Sequence, residues 1–348
     1  MKTVCICGGG SLGHVIAAYL SAKKGLRVNM LTRSPERWSA ELQINTPEGE
    51  VLKGRLHTVS DNPQEALLGA EVVLLCLPGY AIRGELEKIR PYVNRQTYVG
   101  SVFSSTGFFF EALELLDEDV PLWGFQRVPF IARTETYGQK ARLLGYKTSH
   151  KIAVERSRDK ETFRASIAEL FDAPVQLLNN YYEASFTNSN PILHPSRLYT
   201  MFKDWTPEVY YDHQYLFYEE WTDEASELLI KLDLELFRLL DKLPVAPDYL
   251  MPILPYYESK DAPSLTRKIR SISSFKGIAT PMIQTEKGWQ PDLTSRYFQE
   301  DFLYGLRYIH QEAHRQGVAV PVMDEVYEWG GQLLDIKKNI RKYFENQK

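Results

Sequence analysis

Three cysteines, an odd number, rule out a disulfide framework and point to a reducing compartment. Long apolar runs are missing too. The clearest, Val72–Leu77, lasts six residues before Pro78, far short of the roughly 18 that a transmembrane helix needs. At the N-terminus only Val4 to Cys7 precede Gly8, too little for the apolar core of a secretory leader. A cytoplasmic location is therefore expected. Net charge is small, 41 basic against 45 acidic residues, which argues against nucleic acid as a partner. No internal repeat or low-complexity tract is visible.

Metal-ligand spacing is also lacking. Cys5 and Cys7 lie two apart on an expected strand and, like Cys76, read as core thiols. His310 and His314 are spaced i, i+4 on an expected helix, but Gln311 stands where the zinc-protease pattern places Glu. They read as a solvated helix face, and no metal is expected. One last absence is local. The first 35 residues hold Lys2, Lys23, Lys24, Arg27 and Arg33 and no Asp or Glu, as a segment that holds an anion would.

What is present suggests two domains, since 348 residues is about twice a typical domain length. Short apolar segments at Thr3–Cys7, Arg27–Thr32, Val72–Leu77, Thr97–Phe103 and Val120–Phe125 alternate with helical patterns such as Ser11–Lys24. That alternation predicts an α/β, doubly wound Rossmann-type sheet. A β-hairpin is expected around Thr46-Pro47-Glu48-Gly49, further strands at Ala141–Tyr146, Lys151–Glu155 and Val175–Leu178, and a helix at Glu161–Phe171. After Tyr182 the strand signal fades. Glu219–Leu240, Asp301–Gln316 and Tyr327–Phe344 read as amphipathic helices. The expected division is a dinucleotide-binding domain over 1–182 and a mostly α-helical substrate domain over 183–348, with the chemistry near the boundary.

Gly8-Gly9-Gly10-Ser11-Leu12-Gly13 fits G-x-G-x-x-G between a strand and a helix. In that motif Gly8 permits the tight turn, Gly10 lets the backbone approach a pyrophosphate, and Gly13 packs helix on strand. Ser11 and Leu12 open the helix whose N–H groups would face the phosphates. Leu77 and Pro78, ending the Val72–Leu77 strand, are expected to flank the same cofactor. The end of the second strand selects between cofactors, because an NAD enzyme usually places an acid there. Here the residues are Thr32, Arg33 and Ser34, with Arg37 nearby. They suit a 2′-phosphate, so NADP(H) is preferred and NAD(H) remains possible.

A second constellation is Asn188-Ser189-Asn190-Pro191-Ile192-Leu193-His194-Pro195. Asn190 and Pro191 form a good Ncap–N1 pair, which would put His194 in the first turn of a helix. A dinucleotide fold followed by N-x-N-P-x-x-H-P resembles the opine dehydrogenases, the octopine/nopaline dehydrogenase group. Three further blocks are similar to that family: Val128-Pro129-Phe130-Ile131-Ala132-Arg133, the stretch from Ser264 to Pro281, and Arg296-Tyr297-Phe298-Gln299-Glu300-Asp301-Phe302-Leu303-Tyr304-Gly305-Leu306.

The resemblance implies a chemistry, the reductive condensation of an α-keto acid with an amino acid. It also implies a His–Asp pair and an Arg, here His194, Asp301 and Arg296, with Asn190 beside the substrate. A monomer or homodimer is expected. The alternatives are a plain 2-keto acid reductase, similar to ketopantoate reductase, and an NADP(H)-sensing protein without turnover. The chain departs from the family at Leu303, where proline is usual, and in the few glycines of Ser101–Gly107. Phe108, Phe109 and Phe110 either narrow a cleft or pack in a core. The aromatic group Tyr210, Tyr211, Tyr215, Phe217 and Tyr218 reads as core or interface rather than substrate pocket.

Overall fold

The computed structural model describes residues 2–187 and 189–345, with side chains through Leu334. The chain divides into two compact units, Met1–Thr187 and Asn188–Lys348. Asn188, the first residue of the Asn188–Pro195 motif, lies outside the described residues.

In the first unit the strands are β1 (Thr3–Cys7), β2 (Arg27–Leu31), β3 (Glu41–Asn45), β4 (Val51–Arg55), β5 (Thr58–Ser60) and β6 (Val72–Leu75). They continue as β7 (Tyr98–Ser101), β8 (Leu122–Phe125), β9 (Phe130–Thr136), β10 (Lys140–Tyr146), β11 (His150–Glu155) and β12 (Val175–Leu177). Eight of them form one sheet in the order β12-β11-β8-β7-β6-β1-β2-β5. Only the β8–β11 pairing within it is antiparallel. Both faces are covered, which explains the unbroken apolar runs of β1 and β6. Val4 and Ile6 enter one core with Ile16, Trp123 and Phe125. Cys5 and Cys7 enter the other with Leu75, Phe108 and Phe109. All three cysteines are buried and free. Phe108 and Phe109 are core, and Phe110 packs on Tyr181, Tyr182 and Phe186.

The expected hairpin is β3–β4, with Gly49 in the left-handed region at φ +85°. It belongs to a second sheet, ordered β4-β3-β10-β9. Strand β9 was not expected, because its exposed and buried residues alternate in a short run that begins at a proline-containing motif. The helix Ser11–Ser21 ends three residues earlier than predicted. Gly25, at φ +81°, therefore serves the turn into β2 rather than capping the helix.

In the second unit the helices Asn190–Phe202, Asp223–Leu240, Ala262–Ser271, Arg307–Arg315 and Pro321–Glu345 pack around Phe202, Phe217, Trp221, Phe298 and Phe302. The buried carboxylate of Glu235 accepts the N–H groups of Val322 and Met323, at 2.9 and 2.7 Å, and so caps the last helix. A small hairpin, Met282–Thr285 with Gly288–Pro291, was not foreseen.

Two local departures matter for the site. Ser189, not Asn190, takes the N-cap position, and its carbonyl accepts from both Ile192 and Leu193. His194 is thus the fifth helical residue, beyond the first turn. Residues Asp301–Leu306 form a π-helix before the α-helix Arg307–Arg315 begins. Such widened turns recur at functional sites. Gly305 sits where this π-helix meets the helix Asn190–Phe202, and a Cβ there would lie 2.8 Å from Cγ of Pro191. Gly305→Ala is expected to cost about 1–3 kcal/mol by overpacking. Urea denaturation would measure this, and an unchanged midpoint would show that the contact can relax.

Candidate active site

The glycine loop follows β1, next to the point where the strand order reverses between β1 and β6. In open α/β sheets that crevice binds ligands. Gly8 has φ +110°, and a Cβ there would meet Leu77 and the Cys76 carbonyl. At Gly13 a Cβ would collide with the Gly8 carbonyl. Gly10 is different, since a Cβ there would project into open space. No protein contact explains that glycine, but a ligand approaching the backbone does. The helix Ser11–Ser21 has no side-chain cap and no acid in its first turn, which leaves an electropositive end for a pyrophosphate. Leu77 and Pro78 are half-buried beside Gly8. The residues fit a dinucleotide.

His14 was not anticipated. Its Nδ1–H donates to the Gly10 carbonyl (3.0 Å), and its Nε2 accepts the N–H of Gly138 (2.6 Å). Both bonds need the neutral ring, and burial pushes its pKa down. The ring also lies 4.2 Å from that of Trp38. Ser11 shares this task, exchanging hydrogen bonds of 3.1 Å with the hydroxyl and N–H of Thr134. Gly9 is explained by Tyr137, whose hydroxyl would lie 2.5 Å from a Cβ. The turn between β9 and β10 is thereby fastened to the glycine loop.

At the end of β2, Thr32 is buried and its Oγ1 accepts the N–H of Ser34 at 3.5 Å. Arg33 is exposed, and Ser34 opens the short turn Pro35–Arg37. Arg37 is committed elsewhere, with its guanidinium 4.4 Å from the Tyr137 ring centre. Glu85, from the helix Gly79–Ile89, feels the charge of Arg33, while burial raises its own pKa. A cavity of about 330 Å³ in this unit, lined by Gln64, Leu67, Tyr92, Asn94 and Thr97, lies at the N-terminal ends of the strands. That is the end opposite the glycine loop, and it carries no candidate chemistry.

In the second unit His194 and Asp301 meet. Nδ1 of His194 lies 2.7 Å from Oδ2 of Asp301, across 107 residues of sequence. The two residues are only 4% and 9% exposed. Acceptance by the carboxylate puts the proton on Nδ1 and leaves Nε2 as acceptor or base. Nε2 faces the hydroxyl of Tyr218 at 2.8 Å. Tyr297 stacks on the imidazole, with ring centres 4.2 Å apart. Phe275 stacks on the other side of Tyr218 at 4.1 Å.

Tyr218, Tyr297 and Phe275 were missed as site residues. Their signal was present, since Phe275 and Tyr297 lie inside the blocks quoted for the family resemblance. Tyr218 was assigned to a core cluster, and it is indeed buried. Arg197 pins its segment, with Nε and Nη2 donating to the carbonyls of Phe217 (3.3 Å) and Glu220 (2.7 Å). Burial lowers the Arg197 pKa to about 10, so it stays charged at neutral pH.

Arg296 is exposed at the start of the helix Arg296–Gln299 and makes no ion pair among the described residues. Its charge acts on the neighbouring Tyr297 hydroxyl. Asn190 is half-buried at the helix start. His314 is exposed and His310 half-buried, and both donate from Nε2 to Oδ1 of Asp324, at 2.7 and 2.8 Å. A metal on Nε2 would force a proton onto His310 Nδ1, which is buried without an acceptor. Two N–H donors on one carboxylate fit the trio better.

Residues 177–334 match the family model described as NAD/NADP octopine/nopaline dehydrogenase, alpha-helical domain, and residues 4–103 match that of ketopantoate reductase PanE/ApbA. The helical unit is therefore similar to that of the octopine/nopaline dehydrogenases. It is similar to the opine dehydrogenase of Haliotis discus hannai, at 26% identity over 94% of this chain and 89% of that protein. Among solved structures, octopine dehydrogenase with NADH and L-arginine aligns at a TM-score of 0.85 and 23% identity, over 96% of this chain and 90% of that one. NADP+-bound yersinopine dehydrogenase aligns at 0.71 and 14% identity, over 96% and 91%. The chain is therefore a dehydrogenase with a Rossmann-type nucleotide unit and a helical unit.

In this dehydrogenase the buried His194–Asp301 pair can hold or move a proton at Nε2. Asp301→Asn would preserve the shape but replace the acceptor of Nδ1–H with an amide. Turnover is expected to fall about 100-fold, with cofactor binding unchanged in a fluorescence titration. Full activity would remove Asp301 from the proton chemistry.

Proposed function

We propose that the protein reductively condenses an α-keto acid with the amino group of an amino acid, with NADPH preferred over NADH. The observation that carries this reading is His194 buried between Asp301 and Tyr218. That set lies inside the segment that matches the opine-type helical domain. The relatives support it, since the octopine dehydrogenase neighbour was solved with NADH and L-arginine, and also with pyruvate.

The chemistry assigns each residue a task. Attack of a neutral amine on a keto carbonyl needs a base to remove one proton. Loss of water from the adduct needs a proton delivered to the leaving oxygen, and so does the product amine after reduction. His194, oriented by Asp301, can perform these transfers in turn. Arg296, with no anionic partner among the described residues, is suited to clamp the keto acid's carboxylate bidentately. Asn190, half-buried at the helix start, would offer substrate a neutral hydrogen-bonding contact. The nicotinamide, when bound, supplies the hydride. Gly8, Gly10 and Gly13, with Ser11, Leu12, Leu77 and Pro78 around them, form its cradle.

Arg33 carries the cofactor preference. It is exposed at the end of β2, where Thr32 and Ser34, rather than an acid, flank it in sequence. The yersinopine dehydrogenase neighbour was solved with NADP+. Arg33→Ala is expected to weaken NADPH about tenfold while leaving NADH nearly unchanged, consistent with one charge-assisted contact. Equal weakening of both would sink the assignment.

A second reading is reduction of a keto acid without an amine, favoured by the match of residues 4–103 to the ketopantoate reductase model. One experiment separates the two: NADPH oxidation measured with keto acids crossed against amino acids. The condensation predicts oxidation only when both substrates are present. Oxidation with a keto acid alone, independent of amine, favours the second reading.

A further inference from the structure

We infer that His14 is a positioning residue for the dinucleotide. By tying the turn between β9 and β10 to the Gly10 carbonyl, it holds the Ser11 N–H in the direction that a pyrophosphate needs. This rests on the reading of the glycine loop, residues 8–13, as the cofactor cradle. It is independent of what the second substrate is.

The argument starts at Gly10, the N-cap of the helix Ser11–Ser21. Its carbonyl accepts two hydrogen bonds, from the backbone N–H of His14 at 2.9 Å and from the His14 Nδ1–H at 3.0 Å. The first is the ordinary opening bond of a helix. The second comes from a side chain and holds the carbonyl turned into the helix. A trans peptide is planar, so the Ser11 N–H points opposite to the Gly10 carbonyl. Fixing the one inward therefore fixes the other outward. The Ser11 N–H is among the four that a helix start leaves without an intrahelical partner, and such groups are the ones that bind phosphate. Gly10 itself adjoins open space.

The imidazole is held in turn from outside the helix. Its Nε2 accepts the N–H of Gly138 at 2.6 Å, and its ring lies on that of Trp38. Gly138 cannot drift to follow a loose ring. Its φ is +72°, a Cβ there would collide with the Arg37 carbonyl, and its own carbonyl accepts the N–H of Ser39 at 2.9 Å. The turn between β9 and β10 is thus anchored to the segment that follows β2. His14 carries that anchor to Gly10 across 124 residues of sequence. Two neighbours of the turn press on the same loop. Thr134 bonds the Ser11 hydroxyl at 3.1 Å, and the Tyr137 hydroxyl lies where a side chain on Gly9 would be.

If the fastening orients a phosphate donor, cofactor and fastening stabilise each other by the same factor, because coupling free energies are reciprocal. The first test therefore changes no residue. The Gly138 amide exchanges with solvent only while its bond to His14 is open. Saturating NADH should slow that exchange, followed by NMR, about tenfold, the worth of one hydrogen bond. Unchanged or faster exchange overturns the inference.

The second test is a fluorescence titration of His14→Asn and His14→Ala. The Asn variant keeps a donor for the Gly10 carbonyl but is too short to reach Gly138. Both variants should weaken NADH about tenfold. NADPH should weaken equally, because the pyrophosphate is common to the two cofactors, whereas Arg33→Ala acts on NADPH. His14→Asn binding NADH within about threefold of wild type would show that the bond to Gly10 suffices without the turn, and the inference falls. Loss confined to NADPH would assign His14 to the 2′-phosphate end and overturns it as well. Wild type that binds neither cofactor overturns the cradle reading together with the inference, whereas cofactor bound without any effect at Gly138 overturns the inference alone.

Discussion

The second unit is organised around one buried hydrogen bond, that between His194 and Asp301. A charge-assisted bond of this kind contributes about 1.5–3 kcal/mol, and leaving either partner buried without the other costs more. The surrounding structure serves to keep the partners together. Asp301 opens a π-helix rather than an α-turn. Gly305 lets that turn close on Pro191, one turn before His194. Arg197, three residues after the imidazole, donates to carbonyls on either side of Tyr218. The helix Asn190–Phe202 thus presents His194 to the π-helix and fixes the segment that contacts its other nitrogen.

The first unit uses the same imidazole geometry for a different end. His14 also donates from Nδ1 and accepts at Nε2, but both partners are backbone groups. Burial lowers its pKa and outweighs the backbone groups of Gly10 and Gly9, which favour a charged ring. His194 instead faces a carboxylate at one nitrogen and a hydroxyl at the other, so both of its protonation states have partners. That difference in partners separates a fastening histidine from one equipped to transfer a proton.

The legibility of the two units differs for a physical reason. A dinucleotide loop is local: strand, glycines and helix are consecutive, so the motif is read from one short segment even though Gly8 also packs against Leu77. Gly8, Gly10 and Gly13 could be read directly, as could β1, β2 and β6, whose apolar runs need no distant partner to be recognised. The His194–Asp301 pair spans 107 residues, and only the resemblance of several motifs brought its members together. Tyr218 was hidden because a buried tyrosine in an aromatic cluster looks the same in sequence whether its hydroxyl is idle or bonded to an imidazole. His14, β9 and the Asp324 clamp on His310 and His314 were missed alike, since each depends on a partner from a remote segment. The π-helix was unreadable because its hydrophobic spacing resembles that of an ordinary helix start.

This division also bears on where substrate choice resides. The nucleotide half matches a model built on ketopantoate reductases, and the helical half matches the octopine/nopaline model. A hydride-delivering scaffold common to both reactions has no reason to distinguish an imine from a carbonyl. The distinction requires groups that can remove a proton from an amine and later return one, together with a cation for the keto acid's carboxylate. Proton donors and acceptors must lie at fixed distances to do this; Asp301, His194 and Tyr218 are buried, and the half-buried Tyr297 stacks on the imidazole. On the proposed reaction the clamp must be free to admit its anion, and Arg296 is exposed and makes no ion pair among the described residues. On the proposed reaction, the rigid groups would serve the proton and the exposed one the substrate, and the selection of an amine would then lie within the helical unit.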